Sequence, residues 1–191
     1  MDRSDKILEF LKEIEKFKYI ERKVYSSDLR PENDAEHSWH LAMFLILFEK
    51  DLPEGLDMAK MLKLALMHDL VEIYAGDVST FDKEGRQGKK EREVKAAKKL
   101  FLQLPKDLEE DFTKLFEEYE EQKTPEAKMV KAFDKIQPLL LNICSKGESW
   151  KRHDVSIEDI HKVKKKFVEH DELLLSLYNK LLDEARDKGL I

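Results

Sequence analysis

Apolar residues recur three and four positions apart along most of this chain, which is the spacing of a helix with one buried face. The run from Leu41 to Phe48 is apolar on all sides and predicts a helix at the centre of the fold. We find no strand alternation, no internal repeat and no glycine-rich phosphate loop. The pattern therefore predicts an all-α fold with several helices, over about residues 4–17, 33–48, 57–76, 90–103, 107–121, 124–144 and 156–189.

Several of these helices begin at a residue whose side chain can accept a hydrogen bond from the first turn. A capping residue followed three positions later by an acidic one is a further sign of a helix start. The predicted helix starts are Ser4, Asn33 with Glu36, Asp57, Asp107, Thr124 before Pro125, and Ser156 with Asp159. The polar, basic segment from Tyr19 to Pro31 predicts a partly irregular, solvated connection.

The chain has 191 residues, enough for one domain over residues 1–191 with a real core. Its net charge of -6 argues against binding to a nucleic acid polymer, which usually requires a basic surplus. A small phosphorylated ligand stays possible, because a bound metal and local basic residues can reverse the field inside one cleft.

The single cysteine, Cys144, excludes an internal disulfide and is typical of a reducing compartment. The first residues are charged and do not form a signal peptide, and no apolar run approaches the ~20 residues that span a bilayer. We therefore expect a cytoplasmic protein without a membrane segment.

Three polar side chains interrupt the apolar helix over residues 57–76. His68, Asp69 and Glu72 are spaced so that all three can point into one cleft. Burying such groups is costly unless they are paired or coordinate a metal. Two other ionisable side chains also stand in apolar surroundings. They are His37, near the start of the central helix, and Asp134, one turn before Pro138.

Two imidazoles and two carboxylates would make a mixed nitrogen and oxygen site. Such a site suits Mn, Fe, Co, Ni or Zn, with Mg weaker on ligand grounds. Each residue alone is more often structural, so the combination and its order along the chain carry the argument.

In that order, His37, His68-Asp69 and Asp134 resemble the H…HD…D signature of the HD-domain metal-dependent phosphohydrolases. The pattern is most similar to the 5'-deoxynucleotidase branch of that superfamily, and the resemblance spans about residues 5–144. It rests on Arg22, the run from Arg30 to Ser38, His68-Asp69-x-x-Glu72-x-x-x-Gly76-Asp77, Glu118-Tyr119-Glu120, Thr124 to Lys128, and Val130-Lys131-x-x-Asp134-Lys135.

The resemblance implies an HD-domain bundle holding one divalent metal through His37, His68, Asp69 and Asp134. It implies that Glu72 and Asp69 are catalytic, with Glu72 carrying a proton to or from the reacting oxygens.

The same resemblance implies substrate contacts. Arg22 would bind the 5'-phosphate and Asp77 the sugar hydroxyl, with Thr80 on the same rim loop. Lys23 stands where the nucleotidase pattern usually has a tryptophan near the sugar and base, which leaves the preference for deoxy or ribo substrates open. His40 lies outside the metal motif and is expected in a supporting or core position.

The implied activity is removal of phosphate from (deoxy)nucleoside 5'-monophosphates. Two alternatives remain: hydrolysis of another phosphoester or signalling nucleotide, and a nucleotide-binding regulator that kept its metal without turnover. Family members tend to be homodimers. Residues 145–191 form a helical extension beyond the part that the resemblance covers.

Overall fold

The structure, a computed structural model, describes residues 2–82 and 84–191. Helices account for most of it, in agreement with the predicted all-α class. The α-helices are α1 Arg3–Ile14, α2 Asp34–Phe48, α3 Met58–Met67, α4 Glu72–Ala75, α5 Lys89–Phe101, α6 Lys106–Glu121, α7 Pro125–Cys144, α8 Glu148–Arg152, α9 Ile157–Lys164 and α10 Glu172–Asp187. Short 3-10 turns cover Glu15–Tyr19, Glu49–Asp51 and Lys165–Phe167.

Helices α2 and α7 lie at the centre, and α7 contacts α2, α3 and α10. Phe44 and Phe48 of α2 pack on Phe133 of α7, with ring centroids 5.8 Å apart in both pairs. A second cluster forms where α5 and α6 meet the N-terminal helix, around Leu100 and Phe101. No described helix is both long and apolar enough to cross a membrane.

The predicted helix starts are confirmed where the cap is specific. Asn33 with Glu36 forms a capping box at α2, and Ser156 with Asp159 forms one at α9. Thr124 caps α7, whose first residue is Pro125, and Asp57 caps α3. The prediction of Ser4 as the first cap is wrong, because Asp2 with Asp5 fills that role. At α6, Pro105 stands at the cap position and the helix already includes Asp107.

The segment predicted as an irregular connection contains a β-hairpin. Strands β1, Glu21–Tyr25, and β2, Pro31–Asn33, pair antiparallel with a shift of register between them. These strands are short and half-buried, so period-2 alternation could not reveal them. The hairpin orders residues on both sides of its turn directly beside α2.

The predicted helix over residues 57–76 is interrupted. α3 ends at Met67, the N–H groups of residues 70, 72 and 73 donate to carbonyls three positions earlier, and α4 begins at Glu72. His68 Nδ1 lies 3.0 Å from the Ala65 carbonyl oxygen. In an unbroken helix this carbonyl would accept a hydrogen bond from the backbone N–H of residue 69. Gly76 ends α4 at φ +76°, as predicted.

The predicted last helix over residues 156–189 is two helices. α9 ends at Lys164, and α10 begins after Asp171, whose side chain accepts from the Leu174 N–H. The apolar stripe continues across this break, which is why its spacing predicted one helix.

Candidate metal centre

The turn after α3 and the start of α2 bring two buried imidazoles together, with the ring centroids of His37 and His68 5.4 Å apart. His68 Nδ1 faces the Ala65 carbonyl, which can only accept, so this nitrogen carries the proton. His37 Nδ1 lies 3.1 Å from the side-chain oxygen of Gln137, which also only accepts. Both rings are thereby held in the tautomer that leaves the Nε2 lone pair free.

Neither free Nε2 atom has a hydrogen-bond partner among the described residues, although both atoms are buried. Carboxylate oxygens approach them instead. Asp69 Oδ2 lies 3.0 Å from His68 Nε2 and 3.9 Å from His37 Nε2, and Asp134 Oδ1 lies 3.3 Å from His37 Nε2. One potential ligand atom from each of His37, His68 and Asp69 lies within 4.8 Å of the others. His37, His68 and Asp69 are therefore close enough to share one metal, and Asp134 lies beside His37.

The two oxygens of Asp134 have different surroundings. Oδ1 faces His37, whereas Oδ2 accepts from the Tyr119 hydroxyl at 2.9 Å and lies 2.9 Å from Lys135 Nζ. Burial opposes the charge, but the nearby ammonium of Lys135, together with that of Lys131, holds the pKa of Asp134 well below its usual range. Asp134 therefore directs Oδ1 toward the imidazoles, while its Oδ2 is taken up by Tyr119 and Lys135.

A chain of polar contacts links His37 to Asp69 around the outside of the site. Gln137, bonded to His37, donates through Nε2 to Glu32 at 2.6 Å. Glu32 lies 3.3 Å from Arg22 Nε, and Arg22 Nη1 donates to Asp69 Oδ2 at 2.9 Å. We call these five residues the polar ring. Through these contacts the polar ring holds the side chains of His37 and Asp69, its two predicted metal ligands, in place.

The imidazole of His37 is neutral under ordinary conditions, because burial, with Arg22 nearby, lowers its pKa to about 4. A neutral imidazole is the form that binds a metal.

Glu72 lies beside this group at the start of α4. Its Oε1 is 3.2 Å from Lys89 Nζ, while its buried Oε2 has no hydrogen-bond partner in the described parts of the chain. Burial, with Asp69 and Asp34 close by, raises the pKa of Glu72 well above its usual range. Ligand atoms of Asp34, Asp69 and Glu72 also lie within 4.8 Å of one another. Packing three carboxylates this tightly is favourable only with cations or bound protons among them.

The predicted substrate-contacting residues border two adjoining cavities. A larger one of about 420 Å³ reaches His68, Asp69 and Glu72, and a smaller one of about 60 Å³ lies next to it. Arg22, Asp77 and Thr80 line both, whereas Lys23 lines the smaller one.

Arg22 is not a free guanidinium. It contacts Asp34 at 3.2 Å as well as Glu32 and Asp69, so three carboxylates surround it. His40 lies on the rear of the site, where its Nδ1 is 3.2 Å from Gln137 Nε2.

The sequence assigned no role to Glu32, Asp34, Tyr119, Lys135 or Gln137, all of which touch the proposed ligands or Arg22. Two sequence signals could have found some of them. Gln137 interrupts an apolar stripe beside Pro138, and Glu32 and Asp34 flank the cap of α2.

The donor set fits a divalent transition metal. Two imidazole nitrogens with free lone pairs and two carboxylate oxygens suit Mn, Fe, Co, Ni or Zn, with Mg preferring more oxygen. The unpartnered Nε2 atoms are the clearest sign, since leaving two buried acceptors without a partner is costly.

Comparison with known proteins gives a family and a set of relatives. A family model described as "HD domain" matches residues 14–174. The 5'-deoxynucleotidase HDDC2 of Bos taurus is 36% identical over 136 residues, which cover 70% of this chain and 65% of the bovine protein. The chain therefore spans slightly less than two thirds of that relative. The protein of the same name from Dictyostelium discoideum is 34% identical over 140 residues, covering 70% of this chain and 74% of that protein.

A solved structure is similar over nearly the full length. A predicted metal-dependent phosphohydrolase from Magnetospirillum magnetotacticum MS-1 superimposes with a TM-score of 0.92 at 36% identity. The match covers 99% of this chain and 95% of that one.

Proposed function

Because this chain belongs to the HD domain family, we propose that it is a metal-dependent phosphohydrolase that removes phosphate from nucleoside 5'-monophosphates. The observation that carries the proposal is the pair of buried, unpartnered Nε2 atoms of His37 and His68 beside a cleft of about 420 Å³. A cleft of that size accommodates a nucleotide. The names of the similar proteins support the same reaction class.

His37, His68, Asp69 and Asp134 would hold one divalent metal. When bound, the metal supplies polarisation of a phosphoryl oxygen and a lowered pKa for its water. The preference for Mn, Co, Fe, Ni or Zn over Mg rests on the two imidazoles.

Glu72 is suited to move the proton. Its raised pKa makes it a stronger base than an ordinary carboxylate, suited to take a proton from the attacking water and return it to the leaving sugar oxygen. Lys89 holds one of its oxygens, so the other is the one available for transfer.

Arg22, Asp77 and Thr80 would contact the substrate. The Arg22 guanidinium suits a phosphate, but it must exchange at least one of its present carboxylate partners for it. Asp69, if it serves as a metal ligand, would hold Arg22 less strongly and so is the partner that Arg22 can exchange most readily.

We further propose a single HD domain over residues 1–191 acting as a homodimer in the cytoplasm. The match to the HD domain over residues 14–174 and the core cluster that joins α2, α7 and α10 support the single domain.

The test is a panel of 5'-monophosphates and other phosphoesters, crossed with Mn, Co, Fe, Ni, Zn and Mg. We expect metal-dependent release of phosphate, fastest with nucleotides. Metal-bound protein that releases phosphate from no member of the panel would contradict the enzyme and favour a nucleotide-binding regulator. Faster turnover of a phosphoester that is not a nucleotide would mean that the natural substrate belongs to that other class.

A further inference from the structure

The outer side of α2 is apolar. The inner side of this helix packs in the core, and the run from Leu41 to Phe48 is apolar on all sides. Trp39, Ile46 and Leu47 lie on the outer side and are 63%, 47% and 72% exposed. A helix at a protein surface normally presents polar residues to water, so this side of α2 suits contact with another surface.

A groove of about 510 Å³ adjoins the same side of α2, away from the candidate metal centre. Its walls come from α2, α3, α6 and the end of α1 with the 3-10 turn that follows. Most of the lining is apolar, and it includes Leu66, which is 53% exposed. Ser38, the residue before Trp39, also lines the groove. We call the groove together with Trp39, Ile46 and Leu47 the docking face.

The docking face carries two unpaired charges of opposite sign. Lys63 lines the groove from α3, and Asp111 lines it from α6. Both residues are exposed, and neither side chain makes an ion pair or a hydrogen bond within residues 2–82 and 84–191. Each of them is therefore available to a partner of the opposite charge.

This charge pattern complements itself. In a contact with two-fold symmetry the same surface meets its own copy, so a residue that contacts a second one is contacted by that same residue in return. A two-fold axis that runs between α3 and α6 brings Lys63 of each copy to Asp111 of the other. One contact then forms two ion pairs and buries the apolar lining of both grooves.

Other occupants satisfy less of the docking face. A small apolar ligand would fill the groove but leave Trp39 and Leu47 in water. It would also leave Lys63 and Asp111 without partners. A strongly acidic or strongly basic protein would pair with only one of these two charges and repel the other.

We propose that the docking face is the interface of a two-fold dimer of this chain, with Lys63 of each copy paired to Asp111 of the other. The inference rests on the homodimer included in the proposed function, and it adds the surface and the ion pairs that form the dimer.

Analytical ultracentrifugation of the full chain tests the apolar part of the interface. Leu66→Glu places a charge in the groove and should raise the dissociation constant of the dimer by about 100-fold or more. The matched control is Leu102→Glu, because Leu102 is 57% exposed after the end of α5 and lies outside the docking face. The control should leave the dissociation constant unchanged.

Charge reversal tests the pairing itself. Lys63→Glu and Asp111→Lys, each alone, bring like charges together twice in one dimer and should weaken it by about tenfold or more. Mixed in equal amounts, the two variants should form a dimer about as stable as the parent, because every pair then joins opposite charges again. Both side chains are exposed and unpaired, so these variants keep the fold even if Leu66→Glu does not.

The outcomes separate the interface from the homodimer. A parent chain that sediments as a monomer at every concentration would overturn both. A parent dimer that persists in folded Leu66→Glu protein, or charge variants that associate alone as tightly as in the mixture, would overturn the docking face and leave the homodimer standing. Phosphate release is not measured, so the result is independent of the proposed reaction.

Discussion

Tyr119 donates a hydrogen bond to Oδ2 of Asp134 at 2.9 Å, while the other oxygen of that carboxylate faces His37. The hydroxyl thereby determines which Asp134 oxygen is left for a metal. Residues that orient a ligand in this way commonly change metal affinity by about 10–100-fold when they are removed.

Tyr119→Phe should therefore weaken metal binding by about tenfold or more while the fold is kept. Titration calorimetry of the metal-free protein with Mn or Co measures this directly. Tyr178→Phe is the matched control, because Tyr178 is also buried and its hydroxyl contacts His161 at 2.9 Å, away from the site. Equal affinities for the two variants would argue against the orienting role of Tyr119.

Glu72→Gln should retain metal and lose about 10²–10⁴-fold in kcat, because the amide cannot take up a proton. Glu93→Gln is the control, since Glu93 contacts the same Lys89 amine at 3.0 Å. Metal content and phosphate release should be measured on the same samples. Full activity in Glu72→Gln would remove this residue from the proton transfer.

Arg22→Met should reduce both stability and substrate binding. The variant leaves two buried carboxylates, Glu32 and Asp34, and the partly buried Asp69 without their shared cation. Breaking a buried pair costs about 3–5 kcal/mol. Urea unfolding gives the stability, and the Michaelis constant for a nucleotide gives the binding. Arg30→Met is the control: its pair with Glu36 is exposed and should contribute less than about 1 kcal/mol. An unchanged Michaelis constant in a folded Arg22→Met protein would exclude the phosphate contact.

Lys164 should make the stability of the protein depend on pH. Burial lowers the pKa of Lys164 to about 7, whereas a lysine in the unfolded chain titrates near about 10.4. Between these values the unfolded state holds the extra proton, so the free energy of unfolding rises with pH, by about 1.4 kcal/mol per unit.

This rise should be missing in Lys164→Met. Comparing urea unfolding at pH ~7.5 and ~9, the parent should gain about 2 kcal/mol over the variant. Lys165→Met should follow the parent. Parallel pH profiles for the parent and Lys164→Met would show that the amine stays charged in the folded protein.

Local signals predicted much of the fold. The capping side chains of Asn33, Thr124 and Ser156 each accept a hydrogen bond from the backbone N–H three residues later. Such caps can be recognised without tertiary structure. The helix break after Met67 could not be predicted in this way. It coincides with a contact between the His68 ring and the Ala65 carbonyl, and apolar spacing carries no information about that contact.

His37, His68 and Asp69 lie together and Asp134 lies beside His37, while their role as metal ligands stays a prediction; the contacts that support them were missed. Gln137 touches His37 from 100 residues away, and a single chain gives no sign of such pairs. No sequence pattern predicted the burial of Lys164, because a long side chain can be buried without altering the pattern of its neighbours.

The polar ring has a consequence for the order of biosynthesis. The chain leaves the ribosome from its N-terminus, so His37, His68 and Asp69 emerge well before Asp134 and Gln137. Until α7 docks, the His37 ring lacks the acceptor that sets its tautomer, and the site lacks one carboxylate. Metal binding should therefore follow the docking of α7. Because the complete site exists only in the native state, binding then stabilises that state against unfolding.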